Sequence, residues 1–206
     1  MKIKICGLSR SEDIACINEY RPDYAGFVFA PGRRQVTPSQ AEHLRSGLCE
    51  SIVPVGVFVN APIPEIAALY SSGVIQIAQL HGGENAEYIT ALREQCTVPV
   101  IKVFTLCNDN PPDTKDNFAF FAADYFLFDS GAGSGKTFDW QLLESGKIKK
   151  PWFLAGGINL DNIAGAMALH PFAIDVSSGV ETDGVKDREK IRQLTAFFRE
   201  HQKNIL

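Results

Sequence analysis

Long apolar runs are missing from this 206-residue chain. No stretch approaches the roughly 20 apolar residues that a helical membrane span requires, so no membrane partner is expected. A basic excess is missing too. Lys and Arg number 20 against 24 Asp and Glu, for a net charge of −4. Nucleic-acid binders usually carry a basic balance or stripe, so no nucleic-acid partner is expected either. The five cysteines, at 6, 16, 49, 96 and 107, are odd in number, widely spaced and contain no Cys-x-x-Cys pair. That pattern argues against a disulfide framework or a zinc site. A signal-peptide pattern is absent, because the chain opens directly on the alternating Lys2-Ile3-Lys4-Ile5-Cys6. Reduced thiols and no leader point to the cytoplasm. No low-complexity tract or linker interrupts the chain, so one domain over residues 1–206 is expected.

What is present is an ordinary globular composition, 45% hydrophobic and 21% charged. Short runs rich in Val, Ile, Phe and Tyr recur: Ile3 to Cys6, Tyr24 to Phe29, Val53 to Val59, Ile75 to Leu80, Val98 to Phe104, Tyr125 to Phe128, Trp152 to Leu154 and Ala173 to Val176. Most lack clean polar alternation, as strands buried on both faces do. Helical spacing separates them. Ser9 and Glu12 have the spacing of a capping box, as do Thr37 and Gln40 with Pro38 behind the cap. Ile66, Leu69 and Tyr70 share a helical face, as do Ile89, Leu92 and Cys96; Ile191, Leu194, Phe197 and Phe198 stripe a C-terminal helix. A doubly wound open sheet usually has five or six strands. Eight strand–helix units in one domain favour the α/β class and a (β/α)8 barrel.

In such a barrel the strand ends converge on one face, which gathers remote residues around one pocket. Cys6 ends the first strand. It is either an inert buried thiol or, if its surroundings lower its pKa, a proton acceptor. Asp129 follows four apolar residues, as a turn cap or as an acid. Strands one and six lie on opposite sides of a barrel, so Cys6 and Asp129 could flank a substrate, one removing a proton while the other supplies one. Arg33 and Arg34 sit in a Pro-Gly loop after strand two, where a guanidinium can hold a carboxylate bidentately. Neighbours in an extended loop are expected to point in different directions. Gly156-Gly157 after strand seven and Ser178-Gly179 after strand eight occupy the places where many such barrels bind phosphate, with backbone amides as donors. His81 ends strand four and lines the pocket or caps the strand. No cluster offers three convergent metal ligands, so neither metal nor other cofactor is expected. A small phosphorylated substrate fits the whole.

The segment from Ser130 to Thr137 imitates a nucleotide-binding P-loop. That motif needs a glycine where Ser130 stands, and Gly131 is one residue too close to Gly135. These glycines read instead as a loop over the pocket. Asn108 to Asp113 reads as a surface loop before the fifth helix.

Lys4-Ile5-Cys6-Gly7-Leu8, Gly26-Phe27-Val28-Phe29 with Arg33-Arg34 and Ser39 downstream, Val55-Gly56-Val57-Phe58-Val59-Asn60, Gln79-Leu80-His81-Gly82, Gly135-Lys136-Thr137-Phe138-Asp139-Trp140, Leu154-Ala155-Gly156-Gly157-Ile158 and Asp175-Val176-Ser177-Ser178-Gly179-Val180-Glu181 together resemble the phosphoribosylanthranilate isomerases of tryptophan biosynthesis. The resemblance covers essentially the whole chain in the same order. It implies an Amadori rearrangement with Asp129 as general acid, Cys6 as general base, Arg34 on the anthranilate carboxylate, and Gly156, Gly157, Ser178 and Gly179 on the phosphate. It implies a raised pKa for Asp129 in the bound complex. Members of the family occur as monomers and homodimers. Two alternatives stand beside it. The parallel isomerase of histidine biosynthesis typically has an aspartate where Cys6 stands here. A phosphate-metabolite sensor on the same barrel would have no use for the Cys6 and Asp129 pair.

Overall fold

The computed structural model describes residues 1–106, 122–130 and 148–203. Eight parallel strands close into a barrel in chain order. They are β1 (Lys2–Cys6), β2 (Tyr24–Val28), β3 (Val53–Phe58), β4 (Ile77–Leu80), β5 (Val100–Thr105), β6 (Tyr125–Asp129), β7 (Trp152–Leu154) and β8 (Ala173–Val176). The closing pair sets Lys4 beside Asp175 and Ile5 beside Val176. Six helices lie among the described residues: α1 (Ser11–Tyr20), α2 (Pro38–Ser46), α3 (Ile63–Ser71), α4 (Ala86–Gln95), α5 (Ile163–Ala168) and α6 (Arg188–Lys203). The surface loop at Asn108 to Asp113 and the P-loop imitation beyond Ser130 fall outside the described residues.

Strand residues two apart share a face, so each strand feeds two cores at once. Tyr24, Val55, Ile77, Ile101, Leu127, Phe153 and Ala173 pack together inside the barrel. Ile5, Phe27, Phe58, Leu80, Phe128 and Ile174 pack under the helices. This double burial explains why the runs show so little polar alternation. The polar exceptions are Lys4, Gln79 and Asp175, buried at inward positions, and Lys102 of β5, buried beside Glu84.

The helix signals resolve unevenly. Thr37 and Gln40 form the expected capping box: the Gln40 amide donates to Thr37 Oγ1 at 3.2 Å and the Thr37 amide to Gln40 Oε1 at 2.8 Å. The Ser9–Glu12 box does not form. Asp13 turns back instead and accepts from the Ser9 and Arg10 amides at 3.0 and 3.1 Å. Asp13 wins because its carboxylate is also gripped by the Arg10 guanidinium, with Nε at 3.0 Å.

One element is not predicted by strand–helix alternation. After a single 3-10 turn at Ser178–Val180, the chain makes a hairpin of β9 (Glu181–Thr182) and β10 (Val185–Lys186). Its two turn residues, Asp183 and Gly184, both have positive φ, at 50° and 81°. Asp-Gly is a favoured pair for such a tight turn. The register places Lys186 directly opposite Glu181.

Candidate active site

The inward residues at the C-terminal ends of the strands enclose a cavity of about 600 Å³. Cys6, Arg34, His81, Asp129, Gly156, Gly157 and Ser178 all line it, so the structure brings together every candidate but one. Gly179 is the one that does not line it, and an added Cβ there would lie 1.9 Å from the Ile158 carbonyl oxygen. Its glycine is therefore required first by close packing between the loops after β7 and β8, and only then by any ligand. Gly156 and Gly157 take φ values of 92° and 65°. A Cβ on Gly156 would lie 2.3 Å from Ser130 Oγ, so this turn also fixes the end of β6.

Cys6 is buried at the end of β1, opposite Gly26 of β2. A Cβ on Gly26 would come within 2.6 Å of the Cys6 sulfur, so that glycine makes room for the thiol. Burial pushes the thiol above its ordinary range, while the nearby Lys4 and Lys186 ammonium groups pull it back and Asp175 pushes it up again. The net shift is upward, because desolvation outweighs the two ammonium groups. Lys4 lies one inward step below Cys6. It is fully buried and donates to Asp175 Oδ2 at 2.7 Å. Burial alone would lower the Lys4 pKa, but Asp175 and Cys6 overcome it and the net shift is upward.

His81 proves to line the pocket, and it faces Asp129, with Nε2 at 3.5 Å from Oδ2. Burial lowers the His81 pKa despite the carboxylate, so the imidazole is neutral at neutral pH. The Gln79 amide lies 3.4 Å from His81 Nδ1. Donation there leaves the proton on Nε2, facing the carboxylate. Gln79 Oε1 and Asp175 Oδ1 are buried on residues that line the cavity, and among the described residues they have no hydrogen-bond partner. Two acceptors are thereby offered to a ligand's hydroxyl or N–H donors.

The two arginines do not diverge. Arg34 grips Glu181 through Nε at 2.7 Å and Nη2 at 2.9 Å, and Arg33 reaches the same carboxylate through Nη2 at 2.7 Å. Lys186 donates to it as well, at 2.7 Å. Burial would raise the Glu181 pKa, but hydrogen bonds from Arg34 and Lys186 bring it down to about 2. Glu181 and Lys186 were absent from the sequence-based candidates; the Asp183-Gly184 turn was the local signal that pairs them. Four cations, Lys4, Arg33, Arg34 and Lys186, thus face two carboxylates at one side of the cavity. This local excess can attract an anion into a protein that is negative overall. Among the described residues, no group of three His, Cys, Asp or Glu could hold a metal ion.

Comparison with known proteins gives the same picture. The sequence profile of one family, N-(5'phosphoribosyl)anthranilate (PRA) isomerase, matches residues 3–196. An N-(5'-phosphoribosyl)anthranilate isomerase of Endomicrobium trichonymphae is 46% identical over 96% of this chain and 98% of its own length. The crystal structure of phosphoribosyl anthranilate isomerase from Thermus thermophilus superposes with a TM-score of 0.84 at 37% identity, over 97% of this chain and 99% of that one. A further isomerase, crystallised with reduced 1-(o-carboxyphenylamino)-1-deoxyribulose 5-phosphate, matches at a TM-score of 0.81 and 32% identity, over 95% and 96%.

Proposed function

The chain belongs to the N-(5'-phosphoribosyl)anthranilate isomerase family of tryptophan biosynthesis, and from that premise we propose that its pocket works by general acid–base catalysis, with Asp129 as the acid and Cys6 as the base. The observation that carries the assignment is that both side chains, from the ends of β1 and β6, line one cavity. The substrate, N-(5-phosphoribosyl)anthranilate, is a small phosphorylated molecule with anionic groups at both ends. Asp129 donates its proton to the furanose ring oxygen. The C1′–O bond breaks, and the nitrogen lone pair forms a protonated imine. Cys6 as thiolate takes the C2′ proton, and the electron pair of that C–H bond neutralises the imine to an enolamine. Tautomerisation gives the ketone, 1-(2-carboxyphenylamino)-1-deoxyribulose 5-phosphate. No oxidant or reductant is needed.

The anchors divide by chemistry. Gly156, Gly157, Ser178 and Gly179 serve the phosphate, with the left-handed Gly156-Gly157 turn in the cavity wall as support. Arg34 serves the carboxylate with the guanidinium edge not engaged by Glu181. His81 presents a neutral Nε2–H toward Asp129. Asp175 Oδ1 and Gln79 Oε1 accept from substrate hydroxyls. Among the described residues no helix is long and apolar enough to cross a membrane, and we place the enzyme in the cytoplasm, as a single-domain monomer or homodimer. Complementation of a strain lacking this isomerase tests the reading. Growth without tryptophan is expected from the wild-type chain and not from Cys6→Ala; failure of the wild type overturns it.

A further inference from the structure

We infer that Glu181 is the positioning residue for Arg34: it fixes the guanidinium edge-on in the cavity wall, so that the anchor is aimed before the substrate arrives. The inference rests on the reading of Arg34 as the carboxylate anchor and asks what aims it.

Three segments converge on this one carboxylate. Arg33 and Arg34 come from the loop after β2, Lys186 comes from β10, and Glu181 itself starts β9. The Arg34 contact uses Nε and Nη2 together, which fixes the plane of the guanidinium as a single bond would not. Among the described residues that fork takes one N–H of Nε and one of Nη2, which leaves both N–H groups of Nη1 and the second of Nη2 for the cavity that Arg34 lines. Glu181 is itself held from the far side. Lys186 Nζ donates to it at 2.7 Å and to the Ser177 carbonyl at 2.9 Å, while Ser177 Oγ donates to the Cys6 carbonyl at 3.1 Å. The carboxylate is therefore tied to the backbone that carries the base.

The backbone is shaped to let the arginines through. Arg34 lies across Gly7, where a Cβ would come within 2.3 Å of its Cδ, and Arg33 lies across Gly184, where a Cβ would come within 1.6 Å of its Nη1. Both glycines have φ of 81°. Arg34 thus runs through a slot that a side chain on Gly7 would close. At Gly184 the close atom is the free end of Arg33, whose side chain is the more exposed of the two. The arrangement resembles other sites where an inner group is held by a buried partner so that little ordering remains to be done on binding.

The test is a double-mutant cycle on wild type, Arg34→Ala, Glu181→Gln and the double variant. It is read as kcat/KM and as the affinities for two probes, anthranilate and inorganic phosphate. Glu181→Gln is expected to lower kcat/KM and anthranilate affinity by about tenfold, the scale of a misaligned anchor, and to leave phosphate affinity unchanged. In the Arg34→Ala background the same change is expected to cost nothing further. Equal losses in both backgrounds, equal losses for both probes, or no loss at all would overturn the inference. An Arg34→Ala variant with unchanged anthranilate affinity would instead remove the anchor reading. Should the Glu181→Gln chain not fold, Glu181→Asp, which retains the charge but withdraws it by one methylene, goes through the same cycle with the same expected pattern.

Discussion

The two sides of the cavity are built for opposite tasks. Around Cys6, on the side of β1, β2 and β8, the inward and loop positions hold paired ions: Lys4 with Asp175, and Arg33, Arg34 and Lys186 with Glu181. Around Asp129, across the barrel, the ring facing the carboxylate is the neutral imidazole of His81. A base that must carry negative charge sits among cations that offset part of its burial. An acid that must give up a proton faces a group that does not add a full positive charge. Two titratable groups in such contrasting surroundings are the arrangement expected of an acid and base pair.

Removing either member should have the largest effect. Cys6→Ala and Asp129→Asn are each expected to lower kcat by about 100- to 10,000-fold, the scale of a general acid or base. Product affinity, measured by titration calorimetry, should stay near wild type in both. A near-normal kcat in one of them would dissolve the contrast between the two sides. The pH dependence sharpens it. Burial raises the Cys6 pKa, so the active thiolate is the minor form near neutrality. Catalysis needs the thiolate and the protonated acid together, and a rise in pH favours the first while it removes the second. Asp129→Asn takes the titrating acid away, so the residual kcat/KM of that variant should rise with pH across about pH 6 to 8. A flat profile in that variant would mean that the base is not Cys6.

Next comes the floor beneath the base. Lys4→Met would leave Asp175 buried with its Oδ2 unpaired, since Lys4 is its ammonium partner at 2.7 Å. Breaking a buried pair in this way costs about 3–5 kcal/mol. Chemical denaturation should show that loss, and Lys4→Met/Asp175→Leu should recover part of it. If Lys4→Met alone is as stable as wild type, the pair is not holding β1 against β8.

Much of this division was readable from the chain, and the unread part has a common cause. Cys6, Asp129, His81 and the Gly156-Gly157 turn stand at strand ends, and a strand end is visible locally as the last residue of an apolar run. Lys4 is not visible in that way. In Lys2-Ile3-Lys4-Ile5 it reads as the solvent side of an alternating strand, and only its partner 171 residues away makes burial affordable. Glu181 and Lys186 depend on the hairpin, whose Asp183-Gly184 turn is a local signal hidden by its position after the last barrel strand. The Ser9–Glu12 box failed because Asp13, one residue on, has a guanidinium to hold it in place. Pattern thus locates positions on the barrel. Which of them carry compensated charge is settled by contacts remote in sequence.

The acid side should show a smaller, pH-linked effect on stability. His81 has its pKa lowered by burial, so its neutral form is the one the fold accommodates. A group whose folded pKa lies below its unfolded value gives stability that is full above the unfolded value, about 6.5 for histidine, and is lost as pH falls through the folded value. The thermal midpoint is therefore expected to fall as the pH drops below about 6.5, and His81→Asn should flatten that part of the curve. An identical slope in the variant would assign the loss to other groups.

The smallest effect is expected at Arg33, and it tests the cation side from its outer edge. Both arginines reach Glu181, so direction along the loop cannot tell them apart. Burial can. The Arg34 side chain is 29% exposed and uses two nitrogens on the carboxylate, whereas Arg33 is 55% exposed and uses one. An exposed pair contributes about 0–1 kcal/mol, so Arg33→Ala should change kcat/KM by less than about fivefold. Arg34→Lys, which keeps the charge but loses the planar fork, should cost about tenfold, and Arg34→Ala more. Steady-state kinetics on the three variants decides the order. If Arg33→Ala proves the most damaging, the anchor is Arg33. If none of the three raises KM, the substrate carboxylate is held elsewhere, and the cation cluster serves the thiol alone.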